Sequence, residues 1–334
     1  MIITRTPLRI SFAGGGSDLP AFYEQEQGAV VSTAIDKYIY ITVNPKFDHK
    51  IRASYSVTEI VDSVGELKHE LIREALYLLN IHQGIEITSI SDIPHQGTGL
   101  GSSSSYSVGL LNALYAYKGH MAGAERLADE ACHIELDRCR KPIGKQDQYI
   151  AAYGGLQYIR FNPDGSVFTD PVICSPSTRK KLESRLLLLY TGLTRSADGI
   201  LAEQGEATRS SEEKRASLRR MVSLASQLCE ALGREDIDAF GEILHAGWLE
   251  KRKLASSISN NKIDHWYERA RAAGAIGGKL LGAGGGGFLL FYADPAHHTS
   301  ICRALPELRP IPFNFCPQGS KVIYVEENGY SPDY

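Results

Sequence analysis

Pro94-His95-Gln96-Gly97-Thr98-Gly99-Leu100-Gly101-Ser102-Ser103-Ser104-Ser105, which runs into the apolar-periodic segment Tyr106 to Tyr115, carries the strongest chemical signal of the chain. Glycines without a Cβ let main-chain N–H groups come close to a ligand and tolerate positive φ. Serine hydroxyls suit the orphan N–H groups of a helix's first turn. Several donors and the positive end of a helix dipole then converge on one point, which is a site for an anion and above all for a phosphate. No Gly-Lys-Ser or Gly-Lys-Thr follows the glycines, and G-x-G-x-x-G is not met, so neither of the two commoner phosphate loops is present. Taken alone, the stretch also reads as a glycine turn that merely opens a packed helix.

Two further segments bear on that choice. Lys279-Leu280-Leu281 leads into Gly282-Ala283-Gly284-Gly285-Gly286-Gly287, ahead of the apolar Phe288-Leu289-Leu290-Phe291. So many glycines are costly in chain entropy unless the turn has work to do. Either a flexible hairpin or a backbone surface packed where side chains would intrude, on the phosphate loop or on a substrate, satisfies the pattern. The other segment is Arg5-Thr6-Pro7-Leu8-Arg9-Ile10-Ser11-Phe12-Ala13-Gly14-Gly15-Gly16-Ser17-Asp18. Here a strand bearing Arg9 ends in glycines and then offers the Asp18 carboxylate, which can grip hydroxyl groups or cap a following helix.

Strands and helices must position these groups. Period-two alternation over Leu8 to Ala13, the β-former run Tyr38 to Val43, Ile85 to Ile90, Leu156 to Phe161, Leu186 to Tyr190 and Lys321 to Glu326 predict strands. Helical spacing appears over 66–79, over Ala124 to about Arg138 and over 148–153, then in long patterns near 210–232 and 236–256. Strands and helices mixed without strict alternation predict an α+β chain. Pro171, Ser175-Pro176-Ser177 and the charged run 179–185 suggest a boundary near residue 175, hence units of 1–175 and 176–334.

At 334 residues the chain has length for one large or two ordinary units, and its 43% hydrophobic and 22% charged content suits a globular enzyme. A net charge of −3 gives no reason to expect nucleic acid or an anionic membrane as partner. Six scattered cysteines without a C-x-x-C pair suggest free thiols in a reducing cytoplasm. Arg5 and Pro7 interrupt the N-terminus before a signal-peptide core can form. The oligomeric state is not legible.

Together and in this order, the three glycine-bearing segments resemble the GHMP small-molecule kinases. The resemblance runs from Arg5 to about Tyr292. Further segments (Thr33 to Tyr38, Gln146-Asp147-Gln148-Tyr149, Tyr190-Thr191-Gly192) are similar to the sugar-1-kinase branch, which includes heptose 7-phosphate kinases and L-fucose kinases. The resemblance implies a ribosomal-protein-S5-like N-terminal domain and a ferredoxin-like C-terminal domain. It also implies ATP-dependent phosphoryl transfer to a small sugar or sugar phosphate. The expected reaction converts D-glycero-D-manno-heptose 7-phosphate to the 1,7-bisphosphate, on the way to nucleotide-activated heptose. L-Fucose or another free sugar is the nearest alternative, and a sensor that binds ATP and sugar without turnover is a remote one.

Residue by residue, the resemblance assigns the nucleotide phosphates to Gly97, Thr98, Gly99, Leu100, Gly101, Ser102, Ser103 and Ser104. Magnesium falls to Ser103 and Glu135, with Asp137 a nearby rival for the carboxylate. Asp147 is the expected catalytic aspartate, although it also reads as a helix cap, and Arg9 the basic residue beside the reacting oxygens. Asp18 takes the place of an aspartate that binds sugar hydroxyls. Gly15 and Gly16 replace the Glu-His of galactokinases, which removes contacts to galactose and leaves room for a longer sugar. Thr191, Gly192, Gly284 and Gly285 are placed on the acceptor side. A remote phosphate would need cations. Arg138, Arg140, Lys141, Lys145, Arg195 and the run Lys251-Arg252-Lys253 are available, with Arg195 and Lys145 singled out.

Overall fold

The computed structural model describes residues 1–94 and 97–326. His95 and Gln96 of the glycine–serine stretch, and 327–334 at the end of the expected second unit, lie outside the described residues. In chain order the elements are β1 (Ile2–Ala13), α1 (Pro20–Tyr23), β2 (Gly28–Pro45), β3 (Ile51–Ser54), β4 (Thr58–Val61), α2 (Glu70–Leu78), β5 (Ile85–Ser91), α3 (Ser102–Tyr117), α4 (Ala124–Cys132), α5 (Gln146–Tyr153), β6 (Leu156–Phe161) and β7 (Val167–Pro171). There follow α6 (Pro176–Ser184), β8 (Leu186–Tyr190), α7 (Ala197–Ser210), α8 (Glu212–Gly233), α9 (Ile237–Lys251), α10 (Asn261–Ala272), β9 (Gly277–Leu280), β10 (Phe288–Tyr292), α11 (Pro295–Ala304), β11 (Arg309–Pro310) and β12 (Lys321–Val325).

Two sheets result. The larger runs β12-β1-β2-β5-β3-β4, with β6 and β7 added beside β2; the smaller runs β11-β8-β10-β9. β2 is the organising strand. One of its edges pairs with β1 along nearly its whole length, while the other is shared between β6 at Gly28 to Thr33 and β5 at Ile39 to Pro45. Only its Tyr38–Val43 portion is legible as a strand from composition. Gly28 to Ile35 is buried on both faces and so shows no alternation.

α3 lies on β1 and β2 and is flanked by α4 and α5, which explains why it is buried on nearly every side and lacks a polar face. Long-range apolar contacts tie the two sheets together. Phe12 of β1 meets Phe240 of α9 edge-on at 5.1 Å between ring centroids, and α8 packs on both β1 and β2. One apolar cluster therefore reaches from the larger sheet to the smaller, and a second lies mainly in the C-terminal half.

The sequence leaves open which unit the strand over Lys321 to Glu326 joins; β12 pairs antiparallel with β1 and so belongs to the larger sheet. One expectation needs correction. The helix expected over Ala124 to Arg138 is regular only to Cys132 and continues in π-helical turns over His133–Arg138. Such widened turns re-aim side chains and are common at functional sites.

Candidate active site

The glycine–serine loop adopts the conformation its sequence demands. Gly97, Gly99 and Gly101 all take positive φ, and Gly101 stands directly ahead of the first turn of α3. The loop is anchored to β1 by the Arg9 N–H donating to the Leu100 carbonyl at 3.0 Å. Leu100 itself is fully buried, so its contribution to a ligand site is limited to its main chain. The second glycine run closes on this loop: a Cβ at Gly99 would lie 2.4 Å from the Leu281 carbonyl oxygen, and one at Gly282 would lie 2.4 Å from the Gly99 Cα. The run connects the antiparallel hairpin β9–β10 and at the same time packs its main chain on the glycine–serine loop, so the hairpin and the packing readings both hold.

Beside the loop, the Ser103 and Ser104 hydroxyls donate to Glu135 Oε2 at 3.1 and 3.3 Å, and Gln148 Nε2 donates to Oε1 at 3.1 Å. Glu135 is fully buried, and burial pushes its carboxyl up to about 7 against the hydrogen bonds that favour the charged form. The widened turn points Glu135 inward and leaves Asp137 exposed and paired with His133, so of the two carboxylates only Glu135 reaches the serine hydroxyls. Among the described residues no three His, Cys, Asp or Glu side chains cluster as a metal cage. One carboxylate and one exposed hydroxyl beside a phosphate loop nevertheless fit magnesium, which keeps its waters and takes the rest of its oxygens from phosphate.

Asp147 occupies the first turn of α5 and is held from the opposite wall. Arg9 Nε and Nη2 donate to its two carboxylate oxygens at 2.7 Å each, and Arg9 Nη1 donates to the Gly99 carbonyl at 2.6 Å. One guanidinium thus locks the carboxylate to the phosphate loop by a bidentate fork. Arg9 is nearly buried, whereas the Asp147 side chain keeps 22% of its surface exposed to the cavity. Each of its oxygens retains acceptor capacity for an incoming hydroxyl.

Both loops, Asp147 and Asp18 line one cleft of about 570 Å³. Beyond Asp147 the lining changes character. Asp18 Oδ1 accepts from the Gly16 N–H at 2.8 Å and Oδ2 from Gln146 Nε2 at 3.1 Å; burial raises its pKa and the Gly16 bond opposes that. Gly144 has to be glycine there, since a Cβ would fall 1.9 Å from Asp18 Oδ2. Opposite stand two buried lysines from the second half of the chain. Lys251 donates to Gln204 Oε1 at 2.9 Å and Lys279 to the Phe12 carbonyl at 3.2 Å. Burial holds their ammonium groups down to about 8 and about 7, respectively.

Residues 66–155 match the model of the GHMP kinases N-terminal domain, and residues 228–310 that of the GHMP kinases C-terminal domain. The D-glycero-alpha-D-manno-heptose 7-phosphate kinase of Campylobacter jejuni is 30% identical over 322 residues, covering 91% of this chain and 93% of that protein. The chain belongs to the GHMP kinase family. It is an ATP-dependent phosphotransferase of the sugar-kinase kind. A crystal structure of a D-glycero-D-manno-heptose 1-phosphate kinase from Bacteroides thetaiotaomicron superposes with a TM-score of 0.81 at 25% identity, covering 98% of this chain and 100% of that one. The bifunctional fucokinase/GDP-fucose pyrophosphorylase of Arabidopsis thaliana is 27% identical over 89% of this chain but only 30% of its own length.

In this GHMP kinase the structure brings most of the expected site residues to the cleft: Arg9, Gly15, Gly16, Asp18, Glu135, Asp147, Arg195 and the loop from Gly97 to Ser104 apart from Leu100. It keeps others away. Lys145 donates to the Gly165 carbonyl at 2.9 Å, lies 4.9 Å over the Tyr23 ring and lines a neighbouring cavity. Thr191 is buried against the Gly287 carbonyl, and Gly192 stands outside the lining. Gly284 packs on Ile258, and Gly285 on Arg195 and Ile200. Arg195 reaches the cleft on its nucleotide side, where its main chain presses on Gly97. Of the other candidate cations, Lys141 also lines the cleft but pairs with Glu70, and Arg138, Arg252 and Lys253 pair with Glu74, Asp264 and Glu250.

Gln146 and Gln148, as partners of Asp18 and Glu135, and Lys279 were not assigned from sequence. The sequence offers Lys251 only within the run Lys251-Arg252-Lys253, as one of several cations available to a remote phosphate. A signal for both lysines existed. Lys251 continues the apolar stripe Leu244, Trp248, and Lys279 lies in a strand buried at every position, where an unpaired charge is costly without a task.

Proposed function

We propose that the protein transfers the terminal phosphoryl group of ATP to the C1 hydroxyl of D-glycero-D-manno-heptose 7-phosphate, giving the 1,7-bisphosphate. One observation carries the phosphoryl-transfer reading: Asp147 is pinned by Arg9 between the phosphate loop and the acceptor half of the cleft. The heptose reading is supported by the 30% identity to the Campylobacter enzyme and by Gly15, which lines the cleft beside Asp18 without a side chain.

Phosphoryl transfer asks a protein mainly for positioning and charge compensation. The N–H groups of the loop from Gly97 to Ser103, at the start of α3, would hold the nucleotide phosphates. Ser103 and Glu135 would hold magnesium, which supplies neutralisation of charge on the phosphate oxygens. Asp147 accepts a hydrogen bond from the C1 hydroxyl, orients its oxygen toward the terminal phosphorus and takes its proton as the new O–P bond forms and the bond from that phosphorus to the bridging oxygen breaks, releasing ADP. An anomeric hydroxyl is more acidic than an ordinary alcohol, so a carboxylate suffices as base. Arg9 keeps the Asp147 oxygens in place, and Asp18 accepts from a further sugar hydroxyl. Among the described residues no helix is long and apolar enough to cross a membrane.

A panel of phosphorylated and free sugars, scored by ADP release and by phosphorus NMR of the product, tests this reading. Turnover of heptose 7-phosphate with a new anomeric phosphate signal is expected. Turnover confined to L-fucose or another unphosphorylated sugar would replace it with the alternative that the fucokinase resemblance favours.

A further inference from the structure

The acceptor half of the cleft contains more buried positive charge than the reaction itself uses. Lys251 and Lys279 expose only 6% and 7% of their surfaces, both line the cleft, and neither has a carboxylate within salt-bridge distance among the described residues. Each donates a single hydrogen bond, to an uncharged oxygen, although an ammonium offers three donors. The charges that face them are Arg9 and Asp18, besides one another. Arg9 is held by Asp147 and Gly99 through three of its five N–H groups, and Asp18 accepts from Gly16 and Gln146 rather than from either lysine. Two neighbouring donors are also unused: the Ser11 hydroxyl, in the cleft wall, and Gln204 Nε2, which faces Gly16, have no hydrogen-bond partner.

Position along β1 decides what these donors serve. The phosphate loop meets β1 at Arg9, through the Leu100 and Gly99 carbonyls. Ser11 lies on the same face two residues further on, about 6–7 Å along the strand. Lys279 is fixed at Phe12, and Lys251, through Gln204, lies next to Gly16. The cationic group therefore lies past Asp147, on the side away from the nucleotide loop.

We propose that Lys251 and Lys279, with the Ser11 hydroxyl and the Gln204 amide, form the binding site for a phosphate monoester carried by the acceptor at the end remote from the reacting hydroxyl. The inference rests on the phosphorylated-sugar reading above and supplies the residues that would distinguish such an acceptor from a free sugar. Lysines strained by burial and repelled by one another and by Arg9 gain most from a dianion, because it supplies the counter-charge the folded protein lacks.

The test compares wild type with Lys251→Met, Lys279→Met and the double variant. Preference for heptose 7-phosphate over the dephosphorylated sugar, as a ratio of kcat/KM values, should fall about 10- to 100-fold for each lysine. The nucleotide Kd should not move. An unchanged ratio, or equal losses in kcat on both acceptors with KM unmoved, would overturn the assignment; the second outcome would give the lysines to the transferred phosphoryl group. Calorimetric titration of inorganic phosphate into protein saturated with a non-hydrolysable ATP analogue, which fills the glycine–serine loop, separates this from the function proposed. Phosphate binding lost in the double variant upholds the site even where wild type turns over free sugars alone. Phosphate binding that survives in a folded double variant (verified by its melting transition) removes the site even where heptose 7-phosphate proves to be the substrate.

Discussion

The two halves of the cleft meet at Asp147 but recognise charge by opposite means. On the proposed nucleotide side the lining is main-chain N–H groups, glycine conformations and a helix start, with Glu135 as a buried carboxylate beside them. On the acceptor side it is made by side chains: Asp18, Lys251 and Lys279 are all buried and come from three distant parts of the chain. A main-chain cradle keeps its dipoles whether or not a ligand is present and costs the empty protein little. Buried ammonium groups without carboxylate partners destabilise the empty protein and are relieved only by an anion. The contrast implies a specificity half bought with stability and a nucleotide half limited by backbone geometry.

The largest expected effect is at the junction. Asp147→Asn keeps the shape and much of the contact to Arg9 but removes the proton acceptor, so kcat should drop about 100- to 10,000-fold. Nucleotide affinity, measured by titration, should be retained; equal loss of both would mean that the residue only shapes the loop. Gly99→Ala probes the main-chain half. Its Cβ would fall 2.4 Å from the Leu281 carbonyl oxygen in a left-handed conformation, so urea unfolding should show a loss of about 2–4 kcal/mol together with weaker nucleotide binding.

Lys279→Met probes the side-chain half with the opposite sign. Removing a buried, repelled charge should stabilise the ligand-free protein by about 1–3 kcal/mol at neutral pH. The same groups set a pH dependence. Folded pKa values of about 8 for Lys251 and about 7 for Lys279 lie below the ordinary lysine value. Between those values and about 10.4 the unfolded chain holds more protons, so these lysines make stability rise with pH from about 7 upward; below that their penalty is fully present. The melting temperature of ligand-free wild type should follow that rise, and Lys279→Met should flatten it. The smallest effect is expected outside both halves: Lys145→Ala should cost about 1 kcal/mol through its bond to the Gly165 carbonyl, and leave the acceptor KM unmoved.

What could be read in advance follows the same division. The loop from Gly97 to Ser104 was legible because glycine and serine act there through local backbone geometry, and local geometry is written in consecutive residues. Glu135 was harder to assign, since its advantage over Asp137 comes from a widened helical turn that no spacing rule shows. Arg195 and Lys145 were preferred among the cations for standing near recognisable motifs, yet one faces the nucleotide loop and the other a neighbouring cavity. The first part of β2 was missed because a strand buried on both faces has no period. The return of β12 to β1 was invisible because pairing between residues more than 300 apart leaves no local trace.

By itself, the order of residues determined the glycine–serine loop, the family and the aspartate that Arg9 pins beside that loop, since each depends on short segments whose chemistry is self-contained. Only the tertiary structure decided which cations enter the acceptor half. Burial is a property of the packed molecule, and a lysine on an apolar stripe becomes a ligand group only when the opposite sheet closes over it.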